Sequence, residues 1–130
     1  MAGFSDYLED KVLKHVFGGS AYTAPGTLYV ALYTVAPTDT GGGTEVSGGG
    51  YTRKTAAFTV SGTNPTQASN TAAIEYPTAT ANYGTVVAVG IFDASSSGNL
   101  MAYANLTSSK VVSTGDVFRF NAGDLDITLA

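Results

Sequence analysis

From Ser20 to the end of the chain, apolar side chains tend to recur at every second position, within short segments separated by clusters of turn-forming residues. A period of two is typical of β-strands, because successive side chains of a strand point to opposite faces of the sheet. About eight such segments are present, and they cover residues 26–35, 52–60, 73–77, 84–94, 99–106, 110–114, 116–120 and 125–129. Short strands at this spacing predict a mainly β fold, an antiparallel β-sandwich of jelly-roll or immunoglobulin-like type.

The composition is typical of one charge-poor domain. Only 12% of the 130 residues are charged, and 44% are hydrophobic; the charged share is about half the usual value. With 6 Lys and Arg residues and a net charge of −4, the chain lacks a basic surface for nucleic acid or an anionic membrane. No segment has the ~18 consecutive apolar residues of a membrane-spanning helix. The first residues also lack the apolar core of a secretory signal peptide.

Residues 4–17 (FSDYLEDKVLKHVF) are the one segment with a helical period. Apolar side chains recur there at steps of three and four residues and form one stripe, which comprises Phe4, Leu8, Val12, Leu13, Val16 and Phe17. Ser5 is expected to cap the start of this helix, and Gly18 with Gly19 to end it in a left-handed conformation.

The helix differs in composition from everything that follows it, which predicts two parts. Residues 1–19 are expected to form a helical arm or anchor, and residues 20–130 the β-sandwich. The apolar stripe of such an arm can lie in a groove of its own chain or of a neighbour. We therefore place Phe4, Leu8 and Val12 among the candidate interface residues.

The connection at residues 36–50, between the first two predicted strands, is long and rich in glycine. Most hairpin connections are shorter than its ~15 residues, and glycine loses more conformational freedom on folding than any other residue. One interpretation is a solvent-exposed loop. The other places the loop in a groove of a neighbouring subunit, where backbone can pair with backbone. We favour the second, with Gly41, Gly42, Gly43, Gly48, Gly49 and Gly50 at the interface.

Tyr29 and Tyr33 lie on one face of the predicted strand 26–35, and the other face carries Leu28, Val30 and Leu32. If the aliphatic face belongs to the core, the two tyrosines point outward. Tyrosine is favoured at interfaces because it offers a large contact area with few rotatable bonds. The alternative is that a second sheet covers the rings, and both interpretations remain open at this point.

Side chains with catalytic or metal-binding chemistry are few and scattered. His15 has no partner nearby in the sequence, and Glu75 has no second carboxylate at the spacing that a glycosidase requires. A calcium site can be drawn from Asp116, Asn121, Asp124 and Asp126, but acids beside turns more often accept hydrogen bonds from backbone amides. Cysteine is absent, as are the nucleophile and phosphate-binding motifs. The sequence therefore predicts no enzyme, no cofactor and no metal site.

Nearly the whole chain resembles a family of small tailed-bacteriophage virion proteins, which are often labelled tail fibre proteins. The resemblance is most specific in the first half, where a short amphipathic helix (5–17) precedes YTAP (22–25), LYVALYTVAPTD (28–39) and GTEVSGGGYTR (43–53). Later segments that resemble family positions are YGTV (83–86), GIFD (90–93), GNL (98–100) and GDV (115–117).

This resemblance implies a virion structural role on a β-sandwich with symmetric assembly, made in the host cytoplasm without a signal peptide. The implied partners are the major capsid protein or other virion proteins, and further copies of the chain as a dimer or trimer. We favour a capsid decoration (cement) protein, because the sequence has no long shaft or coiled coil. The alternatives are a tail fibre or tail-tip module that contacts the host surface, and a carbohydrate-binding adhesin that presents Tyr29 and Tyr33 to a surface glycan.

Overall fold

The computed structural model describes residues 2–129, so Met1 and Ala130, at the ends of the predicted parts 1–19 and 20–130, lie outside it. Within residues 2–129, one helix and eleven strands follow each other. Their bounds are β1 Ala2–Phe4, α1 Asp6–Val16, β2 Leu28–Val35, β3 Thr44–Glu45, β4 Lys54–Ala56, β5 Phe58–Ser61, β6 Thr66–Asn70, β7 Ile74–Glu75, β8 Gly84–Phe92, β9 Leu100–Val112, β10 Arg119–Phe120 and β11 Asp126–Leu129.

Two layers of antiparallel strands face each other. The larger layer is a six-stranded sheet in the order β1-β9-β8-β2-β3, in which β4 pairs with the opposite end of β2. The smaller layer contains the three-stranded sheet β11-β6-β5 and the pair β10-β7. These sheets are not closed into a barrel, and the prediction of an antiparallel sandwich is confirmed.

The core lies between these layers. The larger sheet contributes aliphatic side chains to it, chiefly Val30, Leu32, Val86, Val89 and Ile91. The smaller layer contributes mostly aromatic side chains, among them Tyr76, Phe118 and Phe120. The Tyr76 ring packs edge-on against both phenylalanines, and its hydroxyl donates a hydrogen bond of 2.8 Å to Val30 O. This bond satisfies the polar end of a ring that is otherwise fully buried.

Strand β8 is buried on both faces over most of its length, as is typical of a strand whose sequence is almost wholly apolar. Val86, Val89 and Ile91 face the sandwich core, whereas Ala88 and Phe92 belong to a second buried cluster with Ala31, Tyr33 and Leu100. A register shift between Val86 and Ala88 reverses the faces to which successive residues point. The larger sheet therefore carries apolar side chains on both of its sides.

The predicted strands 99–106 and 110–114 are one strand, β9. Between the pairs Val86↔Lys110 and Ala88↔Asn105, β8 advances by two residues and β9 by five, so the intervening residues of β9 bulge out of the ladder. The bulge falls on a polar stretch of the sequence, Thr107 to Ser109, and for this reason the period-two pattern seemed to stop there.

The predicted strand 52–60 is two strands in different layers, because the chain crosses between the layers at Ala57. Ala56 and Phe58 both pack against the same core, so the alternation continues through the crossing. The polar stretch 61–70, which was not among the predicted strands, contains β6. Asn70 ends this strand and is 3% exposed, with its amide bonded to Ala72 O, Asn121 O and Leu125 N–H.

The predicted helix 4–17 begins later than expected, because residues 2–4 pair with β9 as an edge strand. The expected N-cap is confirmed: Ser5 Oγ accepts a hydrogen bond of 3.2 Å from Leu8 N–H. The expected left-handed end is confirmed at Gly19, whose φ is +68°, whereas Gly18 is not among the residues with positive φ. Within residues 2–129, no helix is long and apolar enough to cross a membrane.

Candidate interaction surfaces

The start of α1 is tied to the larger sheet. Ser5 N–H donates to Met101 O over 2.8 Å, the Ser5 hydroxyl donates to Leu100 O, and Asp6 N–H donates to Asp39 O over 2.9 Å. These bonds join the helix to β9 on one side and to the glycine-rich loop on the other. Hydrogen bonds within the chain therefore fix the position of the first turn of α1 on the larger sheet.

The far end of α1 presents an apolar surface to solvent. Leu13 is 59% exposed, Val16 61% and Phe17 82%. These three residues lie on one face of the last helical turns, and we call them the apolar helix patch. A phenylalanine with this exposure leaves most of its ring in water, which is unfavourable unless another surface covers it.

The structure divides the predicted apolar stripe between three locations. Phe4 lies in β1 instead of on the helix, and the prediction that it shares the helical stripe is wrong because the edge of β9 recruits residues 2–4 as a strand. Leu8 and Val12 are half-buried. The exposed part of the stripe is the apolar helix patch. No contact with a partner tests the interface role of Phe4, Leu8 and Val12, which stays a prediction.

The glycine-rich loop is folded against its own chain. Its six glycines, the residues 41–43 and 48–50, all have positive φ angles. A Cβ atom on Gly43 would lie 2.5 Å from Val35 O, and one on Gly49 would lie 2.7 Å from Ala81 O. Val46, between the two glycine runs, is 4% exposed and donates its N–H to Leu32 O. Turn geometry and close approach therefore explain Gly43 and Gly49 within the monomer, and a further role at an interface stays a prediction.

An ion pair that the sequence analysis missed fixes this loop. Arg53 donates to Glu45 through Nε and Nη2, both over 2.9 Å, and its Nη1 donates to Ala94 O and Ser97 O. The Tyr51 hydroxyl donates a hydrogen bond of 2.7 Å to the same carboxylate. Burial opposes the charge on Arg53, but hydrogen bonds and attraction from Glu45 raise its pKa overall. The sequence did contain a signal for this pair, because Glu45 and Arg53 are opposite charges only eight residues apart in a chain with few charged residues.

Tyr33 is a core residue rather than an exposed one. It is 4% exposed and stacks on Phe92 with a centroid distance of 6.5 Å. The Arg53 guanidinium lies 3.8 Å from the Phe92 ring centre. Burial, followed by repulsion from Glu45, raises the pKa of Tyr33 to about 12. Of the two alternatives left open by the sequence, coverage within the chain holds for Tyr33, while Tyr29 is half-buried.

A cleft of about 580 Å³ brings together some of the candidate residues. Tyr33, Gly41 and Gly42 line it with Ser5 and Asp6 from the start of α1. The other candidates lie outside this cleft: Phe4, Leu8, Val12, Tyr29, Gly43, Gly48, Gly49 and Gly50.

Two of the acids considered for a calcium site accept hydrogen bonds from nearby backbone amides. Asp116 Oδ2 accepts from Ser113 N–H over 2.9 Å, and Asp124 Oδ2 accepts from Asn121 N–H over 2.8 Å. This is the role that the sequence favoured over a calcium site.

Three further candidate side chains have partners inside the chain. Asp126 accepts from Ser69 Oγ over 2.6 Å, and Glu75 pairs with Arg119 at 3.1 Å. His15 Nδ1 accepts from Tyr22 N–H over 3.0 Å. In the part of the chain that the structure describes, no group of three His, Asp or Glu side chains is placed to hold a metal ion.

A second opening, which we call the β9 groove, has a volume of about 650 Å³. Its walls come from the bulged part of β9 and from the segment that runs from β10 to β11. The lining is mixed. Its apolar side chains include Leu106, Phe118, Phe120 and Ile127, and its polar side chains include the charged residues Lys110, Arg119, Asp124 and Asp126. Leu106 and Ile127 are only partly buried, so the groove exposes apolar area beside the sandwich core.

The comparisons with known proteins agree with this picture of a structural protein. No curated protein matches the chain. A family model described as Podophage GP4 fiber I protein gp80 matches residues 3–128, which is almost the entire sandwich with its helix. The match extends beyond the motifs of the first half and includes β8, β9 and the strands of the smaller layer. The chain therefore belongs to the Podophage GP4 fiber I protein gp80 family of phage virion proteins.

Proposed function

We propose that this chain is a fibre subunit of a phage particle and that it acts by contacts with other virion proteins and with its own copies, without catalysis. The family match over residues 3–128 is the observation that carries the proposal. The fibre placement rests on the description of that family. The sequence alone favoured capsid decoration, and the two placements share the same physical action, which is binding to an assembled structure.

The surface of the molecule supports a role in protein contacts. The apolar helix patch and the β9 groove expose apolar side chains that the chain does not cover itself. Exposed apolar area of this kind marks sites of protein association in soluble proteins. The low charge of the chain helps, because neighbouring proteins can then pack on it without burying unpaired ions.

The adhesin alternative has less support from the geometry. Sugar rings stack on aromatic faces that are open to solvent, and the Tyr33 ring is buried against Phe92. Tyr29 lies four residues before Tyr33 on the same face of β2 and is half-buried. We therefore propose that the face of β2 with Tyr29 and Tyr33 is not the part of the fibre that contacts a host surface.

Locating the chain on particles tests the proposed function. An epitope tag at the C-terminus, detected by gold-labelled antibody in electron micrographs, should mark the fibres of the particle. Particles grown without this chain should lack fibres or carry shortened ones while their heads remain intact. Labelling over the capsid surface, with heads that break at lower temperature when the chain is absent, would instead support a decoration protein.

A further inference from the structure

The β9 groove lies between the edges of two strands that belong to different layers. On one wall the consecutive residues 103–108 of β9 line it, and on the other wall the consecutive residues 124–128, which lead into β11. Side chains of a strand alternate between its two faces, so a pocket over one face would contact every second residue. Because consecutive residues line this groove, it runs along the edges of both strands.

Both of these edges are unpaired along the groove. β1 pairs with β9 at residues 102–104, and β11 pairs with β6 on its other side. Among residues 2–129, no further strand pairs with either edge. An unpaired edge presents a row of backbone N–H and C=O groups, which is a template for another strand. The groove therefore offers such a template on each of its two walls.

The chain itself places a short strand in the same gap. β1 pairs antiparallel with β9 at residues 102–104 and also contacts β11, and the groove continues this gap past Ala104. We propose that an extended segment of another protein of the phage particle adds as a strand in the β9 groove, in line with β1. This inference rests on the proposed function, since it names the kind of partner with which a virion subunit assembles.

The floor and the rim of the groove define the chemistry of the segment. The floor is formed by core side chains, namely Val89, Ile91, Phe118 and Phe120. The half-buried Leu106 and Ile127 stand on the walls. Apolar side chains on one face of an added strand would therefore extend the sandwich core.

The charges that line the groove are balanced, with two cations and two anions, which are Lys110, Arg119, Asp124 and Asp126. A strongly charged segment of either sign would meet like charges there, and like charges repel. The segment that fits both floor and rim has apolar residues at alternate positions, uncharged polar residues between them and little net charge.

Edge features disfavour a second copy of this sheet as the occupant. β9 bulges at residues 107–109 and carries Lys110 beside the bulge. Bulges and edge lysines are means by which natural strands avoid pairing with another whole sheet. Every strand within residues 2–129 is already paired in its own sheet, so a second copy has no free strand to donate. A single extended segment from a different protein meets neither obstacle.

An engineered extension of the full chain tests whether the groove accepts a strand. β1 runs antiparallel to β9 with Ala2 opposite Ala104, so residues added before Met1 are directed along the groove. One extension alternates threonine with valine, and its control alternates glycine with serine at the same length. Tethering raises the effective concentration of the segment to the order of millimolar, so that even a weak contact can be measured.

We expect the threonine–valine extension to raise the thermal midpoint by about 3 °C or more and to slow amide hydrogen exchange at residues 105–106 and 126–128. The glycine–serine extension should do neither. Leu106→Lys should remove the gain, measured against Leu106→Lys without an extension, because it places a charge on the apolar wall. An unchanged midpoint and unchanged exchange with the threonine–valine extension would overturn the proposal.

Photo-crosslinking in assembled particles identifies the natural occupant. Ser108→benzoylphenylalanine places a photo-reactive group on the exposed rim of the groove, and Ser96→benzoylphenylalanine is the control at an exposed position outside it. Mass spectrometry should find Ser108 products with an uncharged, alternating segment of a different virion protein, and Ser96 should not yield them.

Products between copies of this chain alone, the same products from both positions, or no product would contradict the assignment of the groove. The gold-labelling experiment is independent of this result. Labelling over the capsid would overturn the fibre placement while the crosslinked segment still showed what fills the groove.

Discussion

At the scale of single residues, the glycine-rich loop is the feature that sequence and structure explain differently. A loop with so many glycines was expected to order against a neighbour. In the folded chain, two of these glycines allow close approach of backbone: Gly43 to Val35 O and Gly49 to Ala81 O. Gly48 also has a positive φ, of +76°, but its missing Cβ would point into open space. The same residue type is thus used for two reasons a few positions apart.

Comparing Gly49→Ala with Gly48→Ala separates these reasons. Both changes place a side chain in the left-handed region, which destabilises the fold by about 1 kcal/mol. Gly49→Ala adds a clash with Ala81 O, so we expect a total loss of about 3 kcal/mol in the free energy of unfolding. Urea unfolding of the two variants measures the difference. Equal losses would mean that the backbone of residues 77–83 moves aside without penalty.

At the scale of elements, the Glu45–Arg53 pair joins three pieces of chain that are distant in sequence or lie in different strands. Glu45 lies in the short strand β3, Arg53 precedes β4, and the Arg53 side chain also reaches the turn at residues 94–97. Tyr51 links this group to β2 through a hydrogen bond from Leu32 N–H to its hydroxyl. The segment GTEVSGGGYTR, which carries much of the family resemblance, contains all three side chains of this network.

Removing Arg53 should therefore destabilise the protein far more than removing the other arginine of an ion pair. The Arg53 side chain is 7% exposed and that of Glu45 is 27% exposed, whereas the pair of Arg119 with Glu75 is 51% and 57% exposed. We expect Arg53→Met to lower the free energy of unfolding by about 3 kcal/mol and Arg119→Met by less than about 1 kcal/mol.

Two further variants define the cause of the Arg53 effect. Arg53→Lys should restore little of the loss, because an ammonium group cannot reproduce the two parallel bonds to Glu45. Adding Glu45→Gln to Arg53→Met should recover part of it, since no carboxylate is then left partly buried without its partner. Full rescue by lysine would show that charge alone, and not the geometry of the guanidinium, stabilises the loop.

At the scale of the whole molecule, buried tyrosines make stability depend on pH in the alkaline range. Burial is the main cause that raises the pKa of Tyr51 and Tyr76, and it raises that of Tyr33 to about 12. In the unfolded chain these phenols ionise near their ordinary pKa of 10.0, so above that pH the folded state binds more protons than the unfolded state. Their contribution to stability is complete below pH 10. That of Tyr33 is lost as the pH rises toward 12, and those of Tyr51 and Tyr76 are lost as the pH rises through their own raised pKa values.

We therefore expect the free energy of unfolding to fall steeply above about pH 10, with little change from neutral pH up to that point. Urea unfolding at a series of pH values measures it, and absorbance at the tyrosinate band shows when the phenols ionise. Tyr33→Phe should reduce the slope above pH 10. Constant stability through this range would contradict the burial of these hydroxyls.

Much of the fold could be predicted from the sequence, because its signals are local. The period of two set the β class, the helical stripe with Ser5 and Gly19 placed α1 to within two residues at its start, and the apolar run of β8 indicated a central strand. The motifs around residues 28–39 and 43–53 indicated the phage virion family. The errors were local as well: β6 was missed because Ala68 is its one apolar residue, and β9 was divided at its bulge.

By itself, the sequence determined the secondary-structure class, the helix and its caps, and the family. Only the tertiary structure decided which apolar side chains remain uncovered, because exposure depends on which segments meet across the sandwich and not on spacing along the chain. The same apolar stripe contains half-buried Leu8 and Phe17 at 82% exposure. The β9 groove likewise exists only because strands distant in sequence leave a gap where β9 bulges out of its ladder. Proximity in space, which spacing along the chain does not encode, therefore decides which apolar surfaces remain exposed.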